Sequence, residues 1–160
     1  MIKILFICHG NICRSAAAEM VLRQMVAEGR CLPAIQVASA AATREEIGND
    51  IYPPMKKALT AAGYVCHPHA ARQTTRADYE RYDYIIGMDD ENMWDMKRIY
   101  GGDPDRKLSM LLDWAGQGGQ EIDDPWYTRD FSGSLRQIEE GCRGLLAWIL
   151  QHDRSDQTNR

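Results

Sequence analysis

The chain has 160 residues, 44% of them hydrophobic and 26% charged, and its formal net charge is −4. This length allows one well-buried core and is too short for two ordinary domains, while no apolar run approaches the roughly 20 residues of a membrane span. The acidic balance argues against nucleic acid as a partner. Five cysteines without regular spacing argue against a disulfide framework and a metal site, so we expect no cofactor.

The N-terminal region is predicted to contain a strand, a loop and a helix. Residues 2–7 are apolar and β-branched, residues 8–15 have the sequence CHGNICRS, and a segment with helical spacing of apolar residues follows to Gly29. A loop that enters a helix N-terminus points unpaired N–H groups into one space, where the helix dipole favours a phosphate-sized anion. Because the apolar run is short and leads straight into this loop, we interpret it as a strand and not a signal peptide, and expect a cytoplasmic protein.

The loop also carries a nucleophile and a cation. Cys8 stands at the strand end, where the loop amides and Arg14 would stabilise its thiolate. The planar guanidinium of Arg14 can hold two phosphate oxygens, and the hydroxyl of Ser15 can donate a hydrogen bond to the sulfur. A cysteine and an arginine at this spacing also occur by chance, and a buried cysteine is often a small apolar filler. The whole motif between a strand and a helix favours a phosphoryl-transfer site.

Strands and helices alternate along the rest of the chain, and residues 39–52 are expected to form a loop. Further strands are predicted at 35–38, 83–88 and 107–110. Helices are predicted from Pro53 to Gly63, from a Thr75–Asp78 capping box to Arg81, from Asp89 toward Tyr100, and from Ser132 or Ser134 toward the C-terminus.

This alternation predicts an α/β fold. We expect a single-domain, three-layer α/β/α sandwich whose central, mostly parallel sheet has four strands, with the phosphate-binding loop between strand 1 and helix 1. The domain is expected to span residues 1–151, and residues 152–160 to form a polar C-terminal tail. Ligands of such sheets bind at the carboxyl ends of the strands, where the loop 8–15 lies.

A general acid is predicted in the segment 123–127, which has the sequence DDPWY. A thiolate that attacks phosphorus expels an alkoxide or phenoxide, which leaves readily only when a second group protonates it. A carboxylate among aromatic rings has its ionised form disfavoured by desolvation, as a proton donor needs. Asp-Pro alone is a turn signal, so Asp124 becomes a candidate only because the loop 8–15 is also present.

The pattern Cys-x-Gly-Asn-x-Cys-Arg-Ser near the N-terminus resembles that of the low-molecular-weight protein tyrosine phosphatases. The resemblance extends over most of the chain and implies a metal-independent phosphatase that hydrolyses phosphotyrosine in proteins, and small aryl phosphates, through a phosphocysteine intermediate. It implies that the Asp before Pro is the acid and that the next two aromatic residues line the substrate mouth. Met88-Asp89 resembles the family's Met-Asp at a strand end, although Asp89 fits a helix cap equally well.

The resemblance and the residues together predict a site with three groups of residues. The catalytic residues are Cys8, Arg14 and Asp124. The residues expected to bind substrate are His9, Gly10, Asn11, Ile12, Cys13, Ser15, Trp126 and Tyr127. Ser15, Asn11 and His69 are expected to support the loop, with an exposed turn histidine as the alternative for His69. Cys13 is also implied as a redox partner of Cys8 through a reversible disulfide, with a packed loop cysteine as the alternative.

The sequence departs from the family at three places. His9 stands where many members have an uncharged residue, and Ala16 replaces a common proline. The segment 43–48 lacks the aromatic residue that many relatives carry in this loop. Glu45 or Glu46 is therefore expected to disfavour acidic phosphopeptides.

Three alternatives stay open. A phosphoarginine phosphatase of the same fold is one, but related enzymes of that kind carry a small hydroxyl residue in place of Ile12. A thiol-coupled arsenate reductase needs two further cysteines close together, whereas Cys31, Cys66 and Cys142 are scattered. A catalytically idle phosphate-binding module is disfavoured because a nucleophile and an acid are both present. The expected partners are phosphotyrosine-containing proteins and oxyanions such as phosphate, without nucleic acid or membrane, and the protein is expected to be a monomer or weak dimer.

Overall fold

A parallel sheet of four strands lies at the centre of the protein, in the order β2-β1-β3-β4. The computed structural model describes residues 1–29 and 34–158, with side chains to residue 152. The strands are β1 (Ile2–Cys8), β2 (Ile35–Ala41), β3 (Tyr84–Gly87) and β4 (Leu108–Met110). All three strand pairings are parallel, which confirms the predicted α/β fold. Cys31 lies outside the described residues.

Helices follow the strands in chain order. They are α1 (Arg14–Glu28), α2 (Pro53–Ala61), α3 (Arg76–Arg81), α4 (Asp90–Tyr100), α5 (Pro125–Thr128) and α6 (Phe131–Thr158), with a 3₁₀ helix at Leu111–Ala115. The predicted capping box of α3 is present, because the Thr75 and Asp78 side chains bond each other's backbone N–H groups. Within the described residues, none of these helices has both the length and the apolar character needed to cross a bilayer.

The core is divided between the two faces of the sheet. Alternate residues of β1 point to opposite faces, so Ile4 and Phe6 join one apolar cluster while Leu5 and Ile7 join the other. The first cluster includes buried residues of α1, α2 and α6, and the second includes residues of α3 and α4. Helices thus cover both faces. The carboxyl ends of β1 and β3 lie side by side at one edge of the sheet.

Strand β2 is longer than its sequence indicates. The prediction of a loop from residue 39 is wrong for residues 39–41, which pair with Phe6–Cys8 of β1. Serine and alanine have weak strand preference, so this part of β2 depends on pairing with the central strand and on burial of Ala40 and Ala41.

Helix α6 begins at Phe131, before either predicted serine. Asp130 supplies the cap, because its Oδ1 accepts a hydrogen bond from the N–H of Gly133 at 2.9 Å. Ser134 instead donates its hydroxyl proton to the carbonyl of Asp123 at 2.7 Å. The helix continues to Thr158, past the predicted domain boundary at residue 151, so the division into domain and tail stays a prediction.

The 3₁₀ helix packs against α6 with almost no space between the backbones. A Cβ atom at Gly144 would overlap the carbonyl oxygen of Trp114, and one at Gly141 would overlap the side chain of Leu111. Glycine at both positions is therefore required for this approach. The contact anchors the start of the long connection, residues 116–124, that leads to Asp124.

Candidate active site

The loop after β1 places a sulfur and a hydroxyl side by side. Cys8 is buried, and its Sγ lies 2.9 Å from Oγ of Ser15 in the first turn of α1. Asn11 takes a left-handed backbone with φ of 62° and donates from Nδ2 to the same Oγ at 3.0 Å. Because the Ser15 oxygen accepts from Asn11, its own proton is free to be donated to the Cys8 sulfur.

Asn11 is itself held by the segment that precedes α3. Its Oδ1 accepts from the backbone N–H of Arg72 at 3.3 Å, and its backbone oxygen is hydrogen-bonded to Nε2 of His69. The guanidinium of Arg72 makes two hydrogen bonds to Asp78, at 2.9 and 3.2 Å. A chain of contacts therefore runs from Asp78 through Arg72, Asn11 and Ser15 to the sulfur.

Asp78 is the ionised end of this chain. Burial alone would raise the pKa of Asp78, but hydrogen bonds from Arg72, the Thr75 backbone and the Thr74 hydroxyl hold that pKa below its ordinary value. The negative charge of Asp78 thus fixes Arg72 in place beneath the loop.

Arg14 lies buried at the start of α1 and is surrounded by acceptors. Its Nη1 donates to the backbone oxygen of Ile122 at 2.9 Å and lies 2.9 Å from Oδ2 of Asp89. Its Nη2 lies 3.5 Å from Oδ2 of Asp124. Burial alone would lower the pKa of Arg14, but the negative charges of Cys8 and the two aspartates raise it above its ordinary value. The guanidinium therefore stays charged and ready to bind an oxyanion.

For Asp89 the sequence offers two interpretations, the family's Met-Asp at a strand end and a helix cap, and the structure gives its side chain two partners. Its Oδ1 accepts from the N–H of Asn92 and caps α4 at 2.8 Å, while its Oδ2 pairs with Arg14. Asn92 in turn accepts from the N–H of Met88 at 2.9 Å. The available signal was position, because an acidic residue at the carboxyl end of β3 must lie beside the end of β1.

Asp124 lines the cavity and is the N-cap of the short helix α5. Its Oδ1 accepts from the N–H of Trp126 at 3.0 Å, while Oδ2 faces Arg14. The side chain remains 32% exposed, so solvent and a leaving group can reach it. The backbone of Ile122 ties this segment to the end of β3 through a hydrogen bond to Met88 at 2.9 Å.

A cavity of about 250 Å³ opens above the loop. Its lining comprises Cys8, His9, Gly10, Ile12, Cys13, Arg14, Glu45, Glu46, Asp89, Glu91, Asn92, Asp124, Trp126 and Tyr127. The cavity therefore brings together the three predicted catalytic residues and most of the predicted substrate-binding residues. Asn11 and Ser15 are fully buried behind the loop and do not line it, so their geometry fits support and not direct contact with substrate.

The aromatic side of the mouth has a partner that the sequence did not indicate. Trp126 and Tyr127 are exposed, and the ring of Tyr52 lies 5.2 Å from that of Trp126. Tyr52 also contacts Phe131, and the guanidinium of Arg129 lies over both rings at 5.8 and 5.2 Å. Because Tyr52 precedes α2, far from Trp126 in sequence, no local pattern connects the two.

The other cysteines differ in their surroundings. Cys13 lines the cavity, and burial together with the neighbouring Cys8 raises the pKa of its thiol. Cys8 and Cys13 are not joined to each other in the structure, and the reversible disulfide between them stays a prediction. Cys142 is fully buried in α6, where burial raises the pKa of its thiol, and Cys66 is half-buried.

Comparison with known proteins places the chain in one family. The family model described as low molecular weight phosphotyrosine protein phosphatase matches residues 3–156. The chain is 34% identical over 150 residues to the low molecular weight protein-tyrosine-phosphatase YfkJ of Bacillus subtilis, covering 93% of this chain and 96% of that protein. It is 35% identical over 150 residues to the human low molecular weight phosphotyrosine protein phosphatase, covering 90% and 93% of the two chains.

Solved structures agree with this assignment. The crystal structure of YfkJ from Bacillus subtilis matches with a TM-score of 0.90 at 33% identity, covering 95% of this chain and 96% of that one. A low molecular weight protein tyrosine phosphatase from Streptococcus pyogenes matches with a TM-score of 0.81 at 30% identity, covering 93% of each chain. The chain therefore belongs to the low-molecular-weight protein tyrosine phosphatases, a family of cysteine-dependent enzymes that hydrolyse phosphotyrosine.

Proposed function

We propose that this enzyme hydrolyses phosphotyrosine in proteins, and small aryl phosphates, in two steps through a phosphocysteine. The observation that carries the proposal is the position of Arg14, which lies between Asp124 and the Cys8 loop and is the only arginine among the described residues that line the cavity. A phosphate dianion on the loop amides and this guanidinium would lie between the nucleophile and the acid.

In the first step the Cys8 thiolate attacks phosphorus. A bond forms between sulfur and phosphorus, the bond from phosphorus to the phenolic oxygen breaks, and Asp124 gives its proton to that oxygen. Arg14 and the loop N–H groups hold the charge that develops on the three remaining phosphoryl oxygens. The hydroxyl of Ser15 donates to the sulfur and stabilises the thiolate before the attack.

In the second step water attacks the phosphocysteine. Asp124, now ionised, takes a proton from the water as the new oxygen–phosphorus bond forms, and the sulfur leaves as a thiolate. The Ser15 hydroxyl, oriented by Asn11, stabilises this leaving thiolate through the hydrogen bond seen in the free enzyme. Phosphate is released and the starting protonation states return.

The surroundings of Arg14 prepare it for this cycle. In the free enzyme its charge is met by Asp89 and, at the longer distance of 3.5 Å, by Asp124. Binding of phosphate oxygens at Nη2 would replace the longer contact and leave Asp89 as the lasting partner.

Neither enzymatic alternative has comparable support. A disulfide relay of an arsenate reductase needs mobile thiols near Cys8, but Cys142 is fully buried in the core and Cys66 does not line the cavity. Ile12 lines the cavity as an apolar side chain, which suits the ring of phosphotyrosine.

Phosphate release from phosphotyrosine, p-nitrophenyl phosphate and phosphoarginine tests the proposal, with chelator present throughout. We expect Cys8→Ser to abolish turnover of the aryl phosphates and Asp124→Asn to lower kcat by about 10²- to 10⁴-fold. The Asp124→Asn deficit should shrink as the leaving group becomes more acidic, because such a group needs less protonation. Retention of most turnover by Cys8→Ser would contradict the mechanism, and faster release from phosphoarginine would contradict the substrate class.

A further inference from the structure

The mouth of the cavity has two walls of different chemistry. The aromatic wall is formed by Trp126 and Tyr127, and facing the same cavity are the carboxylates of Glu45, Glu46 and Glu91. The proposed two-step reaction uses none of these three glutamates.

Two of the glutamates meet at His9, the residue that follows the nucleophile. Nε2 of His9 lies 2.9 Å from Oε2 of Glu45, and Nδ1 lies 3.9 Å from Oε1 of Glu91. Glu45 belongs to the loop after β2, whereas Glu91 lies in the first turn of α4. The three side chains, called here the mouth bridge, therefore connect two separate elements across the entrance. They are 42%, 65% and 71% exposed for His9, Glu45 and Glu91, so a substrate can touch them.

The mouth bridge carries unbalanced negative charge. His9 supplies one positive charge at most, against the carboxylates of Glu45 and Glu91 and that of the adjacent Glu46. Glu46 accepts a hydrogen bond from the side-chain amide of Asn49 at 2.6 Å, which orients it without neutralising it.

The cations near the mouth have other partners. Arg14, the other basic residue among the described residues lining the cavity, is buried and paired with Asp89. Arg44, which precedes Glu45, donates to the side chain of Gln73 at 3.0 Å and does not line the cavity. Arg129 rests over the rings of Tyr52 and Phe131. The residues of a substrate on either side of phosphotyrosine would thus enter a region with an excess of carboxylates.

We propose that the mouth bridge selects phosphotyrosine sites with lysine or arginine beside the phosphotyrosine and disfavours sites with aspartate or glutamate there. The inference rests on the proposed function and names a substrate class for it. A basic flank meets the carboxylates of Glu45 and Glu91, whereas an acidic flank adds negative charge to them. Because the glutamates are exposed, the selection is moderate and is screened by salt.

The test compares two phosphotyrosine peptides that differ only in having arginine or glutamate on both sides of the phosphotyrosine. The readout is the ratio of their kcat/KM values, in which effects on the chemical step cancel. We expect a ratio of about 5 to 10 in favour of the basic peptide at low salt, falling to about 2 in the Glu45→Gln, Glu91→Gln double variant. Glu80→Gln is the matched control, because Glu80 is exposed on α3 outside the cavity and its loss should leave the ratio unchanged.

A ratio near one, or one that the double variant does not change, would overturn the inference while p-nitrophenyl phosphate hydrolysis in the same samples still supported the phosphatase. Loss of that hydrolysis as well would overturn the proposed function.

Discussion

The two sides of the active-site cavity are held in place by different kinds of contact. On the nucleophile side, Cys8, Asn11 and Ser15 are buried between β1 and α1, and a chain of hydrogen bonds extends behind them to Asp78. On the acid side, Asp124 caps a helix of four residues whose two aromatic side chains are exposed. The groups proposed to hold phosphoryl charge are thus positioned by the core, whereas the proposed general acid is positioned at the surface.

This comparison predicts how substitutions should behave. Changes on the nucleophile side should reduce stability and activity together, because the same buried contacts serve both. Changes at the mouth on the acid side should reduce activity and leave stability almost unaltered.

The largest effect is expected for Asn11→Ala. The change removes hydrogen bonds to Ser15 and from the Arg72 backbone and forces a Cβ-bearing residue without a polar side chain into left-handed backbone. We expect kcat/KM for p-nitrophenyl phosphate to fall about 100-fold. The free energy of unfolding should fall by about 2–3 kcal/mol. Asn11→Gly is the matched variant: it should lose similar activity but regain about 1 kcal/mol of stability. Activity within threefold of the unaltered enzyme would show that the loop does not need this support.

One contact on the acid side should be an exception, because changes there should reduce stability. It is the contact between α6 and the 3₁₀ helix. Gly144→Ala would drive a methyl group into the backbone of Trp114, and we expect a loss of about 2–3 kcal/mol in the free energy of unfolding. Gly118→Ala makes the same chemical change where open space surrounds the new methyl group, so denaturant unfolding should find it nearly neutral. Equal stability of the two variants would mean that this contact relaxes without cost.

Asp78 allows the stability of the nucleophile side to be tested by changing the pH. Because its pKa is lowered in the folded protein, its contribution to stability is present above the unfolded pKa of about 3.9 and is lost as pH falls through the folded value. Asp78→Asn should therefore lower stability by about 1–2 kcal/mol at pH 7. Thermal unfolding at pH 7, 5 and 3 should show the difference from the unaltered protein shrinking toward the lowest pH. A difference that does not change with pH would contradict the assigned charge.

The smallest effect is expected for Trp126→Ala. Loss of the exposed ring at the mouth should lower kcat/KM for a phosphotyrosine peptide about three- to tenfold with little change in thermal stability. Trp94→Ala is the control, since Trp94 is also exposed but does not line the cavity. Equal effects of the two changes on activity would remove Trp126 from the binding surface.

The same contrast explains what could be predicted from the sequence. The strand, loop and first helix follow from local patterns, and the α3 capping box is complete within four residues. The 3₁₀ helix also has a local contact, since Oδ2 of Asp113 accepts a hydrogen bond from the N–H of Met110 at 3.0 Å. Methionine is not a usual N-cap residue, so the sequence has no clear signature there, and the close approach of α6 at Gly141 and Gly144 depends on distant residues. Helix α5 has a local signal, the Asp-Pro pair that forms its cap and first position, but Asp-Pro is equally typical of a turn.

Contacts between distant residues explain the rest. Asp89 pairs with Arg14, and Tyr52 packs on Trp126, only because the parallel sheet and its connections bring separate segments to one edge. Strand β2 extends to Ala41 because β1 offers a pairing partner, although the residues themselves have little strand preference. In each case tertiary structure, and not local propensity, decides the outcome.

The support of the loop by His69, Arg72 and Asp78 has a consequence for the order in which the protein is made. Cys8, Arg14 and Ser15 are synthesised among the first residues. The His69 side chain and the Arg72 backbone N–H, which hold Asn11, follow only after α2. In a nascent chain that ends before this segment, the loop that carries Cys8 does not yet have the hydrogen bonds that support Asn11. The loop is therefore fully supported only when about half of the chain has been made, and Asp124, the proposed acid, follows later still.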